Sequence, residues 1–163
     1  MVVQRRSVTL RPPTVERQTL SHPAPPAAPQ LAVADPPTGQ PVGEWALRAE
    51  PQSAGLARRL VAQALDGARD SLRRRATLVV SELVGNGVRH GRGRLAVVVD
   101  RLPDGWLVQV RDGNAAPPRV RPGTRYDEDG RGILIVTRMS EDAGWARRPT
   151  GKVIWARLAD VPA

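Results

Sequence analysis

Apolar positions fall into regular periods only from Glu44 onward. In EWALRAE, Trp45, Leu47 and Ala49 alternate with Glu44, Ala46, Arg48 and Glu50, the pattern of a short half-buried strand. A helix follows, with Ser53 as its cap and Leu56, Leu60 and Ala64 at spacing four, joined by Val61 and Leu65 and ended near Gly67. DSLRRRATLVVSELVGNGVRHG predicts a second, longer helix that starts after Asp70 and stops at Gly91. RLAVVVDRL and WLVQVRD read as strands joined at Pro103-Asp104-Gly105. Asn114 to Asp129, rich in Pro, Gly and charge, predicts a long loop, and such loops in compact domains are usually functional. GILIVTRMSED reads as a short helix, and GWARRPT with GKVIWARL as a closing hairpin turned at Pro149-Thr150-Gly151. The order βαα, ββ, loop, α, ββ over residues 44–163 predicts an α+β domain. Its architecture is a two-layer α/β sandwich, with a mixed, mostly antiparallel sheet covered on one face by helices. Before Glu44 there is no sustained period, and nine of the 16 prolines lie there. Residues 1–43 are expected to form a disordered Pro/Ala-rich tail.

Composition removes several chemistries. The chain has no cysteine and two histidines, His22 and His90, so disulfides, thiolate catalysis and a cysteine or histidine zinc cage are excluded. Any metal would be a hard, oxygen-bound cation. Of the 25 basic residues only Lys152 is a lysine, and Val153 after it rules out a Walker-type phosphate loop. No apolar stretch has the length of a secretion signal or of a membrane span, which reads as a cytoplasmic protein with no membrane partner. The net charge of +9 suggests nucleic acid, but residues 1–43 carry four arginines against Glu16 and Asp35, and the remaining +7 is scattered. Only Arg73, Arg74 and Arg75 form a run of three. That is a compositional preference for arginine rather than a phosphate track.

Three places carry candidate chemistry. Glu82 and Asn86, four apart on the long helix, share one edge at the border of its apolar stripe, centred on Leu72, Val79, Leu83 and Gly87. Gly85 and Gly87 flank Asn86 and each cost a helix interior about 1 kcal/mol relative to Ala, which implies close approach to the backbone there. A bland alternative pairs Glu82 with Arg75 or Arg89. Asp112, followed by Gly113 and Asn114, stands where a strand gives way to a turn. There it could accept a hydrogen bond from an exocyclic amine or serve as an ordinary Asp-Gly turn. Gly130, Arg131 and Gly132 precede an apolar helical run, where free backbone N–H groups can cradle an anion.

Glu82-x-x-x-Asn86-x-x-x-His90, then Asp112-Gly113, a long loop and Gly130-x-Gly132 together resemble the GHKL ATPase superfamily of gyrases, Hsp-type chaperones, histidine kinases and mismatch-repair ATPases. LVVSELVGNGVRHG, with ARRLVAQAL before it and GKVIWARL at the close, is similar to the stand-alone anti-sigma factor and serine-kinase branch of actinobacteria. The resemblance covers residues 44–160 and implies the histidine kinase-like ATPase fold. It makes Glu82 the general base, Asn86 a ligand of Mg2+ bridging the phosphates of ATP, and Asp112 the acceptor of the adenine amine. Gly113, Asn114, Gly130, Arg131, Gly132 and His90 would complete the nucleotide site, with residues 114–129 as its lid. The partners it implies are an anti-anti-sigma factor, a sigma factor, or both, and relatives often act as homodimers. The chain departs from the family pattern at Asn114, in place of a glycine or small residue. It departs again at Val153, in place of a threonine near the adenine, and at Gly85 and Gly87, where Ser/Thr and Ala are frequent. These departures keep open a non-catalytic, nucleotide-gated interaction module.

Overall fold

The computed structural model describes residues 30–118 and 128–160, with residues 128–131 described by their backbone alone. Residues 1–29, including His22, and 119–127, in the middle of the expected lid, lie outside the described residues.

The alternating runs form the expected strands. β1 (Ala32–Val33) and β2 (Gln40–Leu47) precede two helices, α1 (Ser53–Ala64) and α2 (Asp70–His90). β3 (Leu95–Leu102) and β4 (Gly105–Asp112) make a tight antiparallel hairpin in which Leu102 faces Gly105. After α3 (Glu128–Met139), β5 (Asp142–Arg148) and β6 (Gly151–Ala159) make a second hairpin, which docks through β6 on β4. The six strands stand in the order β1-β5-β6-β4-β3-β2, antiparallel except for the parallel pair β1 and β5.

The three helices cover one face of this sheet. Val97 and Val99, Trp106, Val108 and Val110, and Ile154, Ala156 and Leu158 point toward the helices and enter one core with Val79, Leu83 and Val84 of α2. The alternate positions Leu102, Leu107 and Trp155 form a small cluster on the opposite face. This period-two division fixes which side of the sheet every strand residue serves.

The first described residues differ from the expected tail. Leu31 is buried in the main core, β1 adds to the sheet, and β2 begins at Gln40 rather than Glu44. Residues 34–39 cross the back of the sheet: Trp155 Nε1 donates to the Ala34 carbonyl at 2.8 Å, and Gly39 lies against Asp100 and Leu102. From β1 at one edge to β2 at the other the strap bridges five strand spacings, about 24 Å, which the seven residue steps from Val33 to Gln40 just span when extended. Pro36 and Pro37 suit that extended path, and a segment lying flat across strands has no reason to show a strand or helix period.

Two details of α1 also differ. Ser53 does not cap the helix; its hydroxyl donates to the Arg48 carbonyl at 2.6 Å. The buried stripe is Ser53, Ala57, Val61 and Leu65, one residue on from the expected one, and Leu56 is exposed. The small Ala57 at its centre lets α1 lie close against its neighbours, which a leucine there would prevent.

At its N-terminal half α2 is fastened by Arg75. Its guanidinium donates to Glu141 Oε1 at 2.9 Å, to the Ala159 carbonyl at 2.7 Å and to the Met139 carbonyl, while Glu141 Oε2 accepts the Ala159 N–H at 2.6 Å. Arg75 therefore serves this junction of α2, α3, β5 and β6 rather than Glu82. Burial raises the pKa of the Glu141 carboxyl, but hydrogen bonds from the Ala159 N–H, Arg75 and its own N–H, with the charge of Arg75, outweigh it, and the net shift is downward. A group whose folded pKa is depressed stabilises above its unfolded pKa, and that contribution is lost as pH falls through the folded pKa. Glu141→Gln is therefore expected to lower stability at pH 7 by about 1 kcal/mol. In urea unfolding followed from pH 7 to pH 3, the gap from the parent should close below pH 4.5, the ordinary glutamate value; a pH-independent gap would contradict the assignment.

Candidate nucleotide site

The candidate residues lie along the C-terminal half of α2, beside its middle and at its C-terminal end. Glu82, Asn86 and His90 succeed one another by one helical turn each, so the row extends about 12 Å along the helix axis. Beside Glu82 runs the start of α3, and beside His90 the end of β4.

At the α3 end, Gly130 is the third residue of the helix and Gly132 the fifth. The sequence puts both glycines just ahead of a helical run, whereas the helix takes them in, because its ladder extends back to Glu128. The Gly130 N–H falls among those that a helix leaves without an internal partner, and Gly132 is already inside the ladder. Gly132 matters by its size: a Cβ there would stand 2.8 Å from Glu82 Oε2. The absence of a side chain is what lets the half-buried Glu82 carboxylate lie against the first turns of α3. Arg131 belongs to the same turn by its backbone.

Asn86 sits deeper than the border expected of it, 6% exposed, and its buried Nδ2 has no hydrogen-bond partner among the described residues. An unpaired buried amide costs about 1–3 kcal/mol, so its retention calls for a reason outside the fold itself. Rotation of the amide exchanges its donor and acceptor ends, so the position can offer N–H to a phosphate or oxygen to a cation. Among the described residues no group of three or more acidic or histidine side chains could hold a metal unaided. A magnesium ion here would depend on one side-chain oxygen plus the phosphates, the way that ion is usually bound. The two flanking glycines have different reasons. A Cβ on Gly87 would meet Leu95 at 2.8 Å, so that glycine admits the core of the sheet, while Gly85 faces only the flexible Arg89 side chain.

At the β4 end, Asp112 is 6% exposed and on the helix side of the sheet. Its Oδ1 accepts the Asn114 N–H at 2.7 Å, and Lys152 Nζ lies 3.0 Å from Oδ1 and 2.9 Å from Oδ2. Lys152 also donates to the Asn114 carbonyl at 2.9 Å. Asn114 is wholly engaged inside the protein: its Nδ2 donates to the His90 carbonyl at 2.6 Å and its Oδ1 accepts the Ala116 N–H. It thus latches the C-terminus of α2 to the end of β4, a task that glycine could not perform. Gly113 donates its N–H to the Arg92 carbonyl at 2.9 Å.

Sequence reasoning missed Lys152. The position expected beside the base was Val153, but Ile154, Ala156 and Leu158 face the helices, so the period of two turns Lys152 inward and Val153 to the other face. The signal was present: one lysine among 25 basic residues, in an otherwise apolar strand. A cavity of about 840 Å3 lies mainly elsewhere, on the back of the sheet under Pro36 and Pro37, with Asp100 and Gln109 on its floor. It reaches the site only around the strand ends, at Asp112, Gly113, Gly151 and Lys152.

A helix bearing a carboxylate and a buried amide, faced by a second helix start and by a buried acid at a strand end, lies on one face of a mostly antiparallel sheet in a two-layer domain. A family model described as a histidine kinase-like ATPase domain matches residues 47–158, and the chain belongs to that family. Among solved structures it is similar to the RsbU and RsbW domains of Rv1364c from Mycobacterium tuberculosis, with a TM-score of 0.55 and 17% identity. That match covers 72% of this chain and 32% of the other, so the chain spans about a third of the length of the protein it resembles. No curated protein matches it by sequence. Among the described residues no helix is long and apolar enough to cross a membrane.

The orphaned amide yields a stability test. Asn86→Leu keeps the branched four-atom side-chain skeleton, removes a buried unpaired donor and is expected to stabilise the fold by about 1 kcal/mol, while abolishing nucleotide binding. Urea unfolding and calorimetric titration with ATP and Mg2+ read the two effects; a destabilised variant would mean that Asn86 is satisfied in the free protein.

Proposed function

We propose that the chain binds ATP with Mg2+ along α2 and transfers the γ-phosphate to a serine of a small anti-anti-sigma partner, regulating a sigma factor in consequence. The observation that carries this reading is the pairing of a half-buried Glu82 carboxylate, free of Arg75 and set against the start of α3, with the unsatisfied amide of Asn86 one turn away. The row from Glu82 to His90 suits an extended nucleoside triphosphate, its phosphates at α3 and its base near Asp112. The motif order supports the same class of activity.

Glu82 takes the proton of the serine hydroxyl as the oxygen attacks; the new O–P bond forms, the bond from the γ-phosphorus to the bridging oxygen breaks, and ADP leaves. General-base work of this kind is worth about 10²- to 10⁴-fold. Bound at the phosphates, the magnesium ion would supply neutralisation of charge, with Asn86 among its ligands. Gly130 offers an unpaired N–H to the phosphates, and Gly132 keeps the space into which the Glu82 carboxylate projects.

A second reading, a nucleotide-gated interaction module without transfer, draws on Asp112 and Asn114, whose polar atoms are already engaged within the protein. Labelled γ-phosphate separates the two. With a partner of the anti-anti-sigma class, the parent chain should transfer label and Glu82→Ala should lose at least about 10²-fold in rate while still binding ATP. Binding of ATP with no transfer by the parent would favour the module, and equal transfer by the variant would remove Glu82 from its role.

A further inference from the structure

The nucleotide reading puts the base near Asp112, and the inference here rests on that reading. A carboxylate that recognises the amino group of a base does so by accepting its N–H at ordinary hydrogen-bond distance, about 2.9 Å. In this chain a nitrogen donor already stands there. Lys152 Nζ is 2.9 Å from one Asp112 oxygen and 3.0 Å from the other, so that one ammonium bridges the carboxylate. Both side chains are 1% exposed, and the Asn114 N–H takes a further site on Oδ1.

The ammonium is not a stray surface cation. It is held from below by β6 and from the side by the Asn114 carbonyl, and Asn114 is itself tied to the end of α2. Its charge has no other acid among the ion pairs of the described residues. The pair is also reached by the cavity that curls around the strand ends.

We infer that Lys152 occupies on Asp112 the place of a base's amino group, so that the site holds nucleoside triphosphates by their phosphates and sugar and reads the base weakly. A lone carboxylate attracts an amine and repels a carbonyl oxygen, which is how it separates adenine from a 6-oxopurine. With an ammonium bound to both oxygens the net charge at that point vanishes, and its three N–H groups are taken by Asp112 and the Asn114 carbonyl, so neither an amine nor a carbonyl oxygen is favoured there. Lys152 is thus the specificity-determining residue of the base end.

The test compares ATP with ITP, which carries an oxygen where ATP carries the amine. Each is titrated calorimetrically with Mg2+ into the full chain, into Lys152→Met and into the double variant Asp112→Asn/Lys152→Met. The parent should bind the two nucleotides within about threefold of each other. Lys152→Met should prefer ATP by tenfold or more, and the double variant, in which neither charge remains, should lose that preference. A parent that already prefers ATP by tenfold or more overturns the inference, as does a folded Lys152→Met with the parent's ratio. Should Lys152→Met fail to fold because Asp112 is left buried and unpaired, the parent's ratio and the charge-free double variant still decide. A parent that binds neither nucleotide defeats the nucleotide reading itself, an outcome distinct from binding with the wrong ratio.

Discussion

The placement of α2 is the constraint on which the rest of the molecule depends. This helix is 21 residues long and is the one element in contact with α1, α3, β3, β4 and β6 alike. Its apolar face, Ala76, Val79, Val80, Leu83 and Val84, is fully buried, and Gly87 brings its last turns onto Leu95 with no room for a methyl group. Dense packing leaves such a helix little freedom to slide or rotate. Polar fastenings fix its two ends as well: Arg75 joins it to Glu141 and to the end of β6, and Asn114 holds the His90 carbonyl. Glu82 and Asn86 lie between those fastenings, so their positions are set by contacts that take no part in the chemistry. A site built on rigid elements keeps its geometry better than one built on loops.

Polar groups in this interior divide into satisfied and unsatisfied ones, and the division follows position along α2. At the β4 end Asp112 has Lys152 and Asn114, Asn114 has His90 and Ala116, and Gly113 has Arg92. Toward α3, Asn86 keeps a buried amide nitrogen without a partner among the described residues. Stability alone accounts for neither. A buried ion pair is often no better than a well-packed apolar pair, because desolvation offsets the attraction, and an orphaned amide is a direct cost. Both features become reasonable once the row is a place where a ligand is held.

Much of the fold could be read from period alone. The strands β3, β4 and β6 show unbroken apolar positions at alternate residues, and α2 shows its stripe, because each buries one face against the other layer. The strap at residues 34–39 escaped because a segment that runs across strands, rather than along one, has no alternating burial to display. On α1 the eye follows the large Leu56 and Leu60, whereas close packing selects the small Ala57. Glu82, Asn86 and Asp112 stand out as residues, but their surroundings do not: neither the open amide nor the lysine on the acid can be derived from spacing. Lys152 shows how sharply a strand divides such questions, since a shift of one position exchanges a pocket residue for one on the far face.

The asymmetry between the two ends bears on how a nucleotide would be held. Binding free energy is gained where a ligand satisfies groups that are otherwise unpaired, and is small where it must displace a bond of similar strength. On that principle the two ends of the row from Glu82 to His90 are unequal: toward α3 lie an amide unpartnered among the described residues and the first N–H groups of a helix, while toward β4 a base amine would meet a carboxylate already bound by an ammonium. Affinity should therefore concentrate on the phosphates and their charge. On the function proposed above, a site of this kind would register the loss of the γ-phosphate more strongly than a change of base.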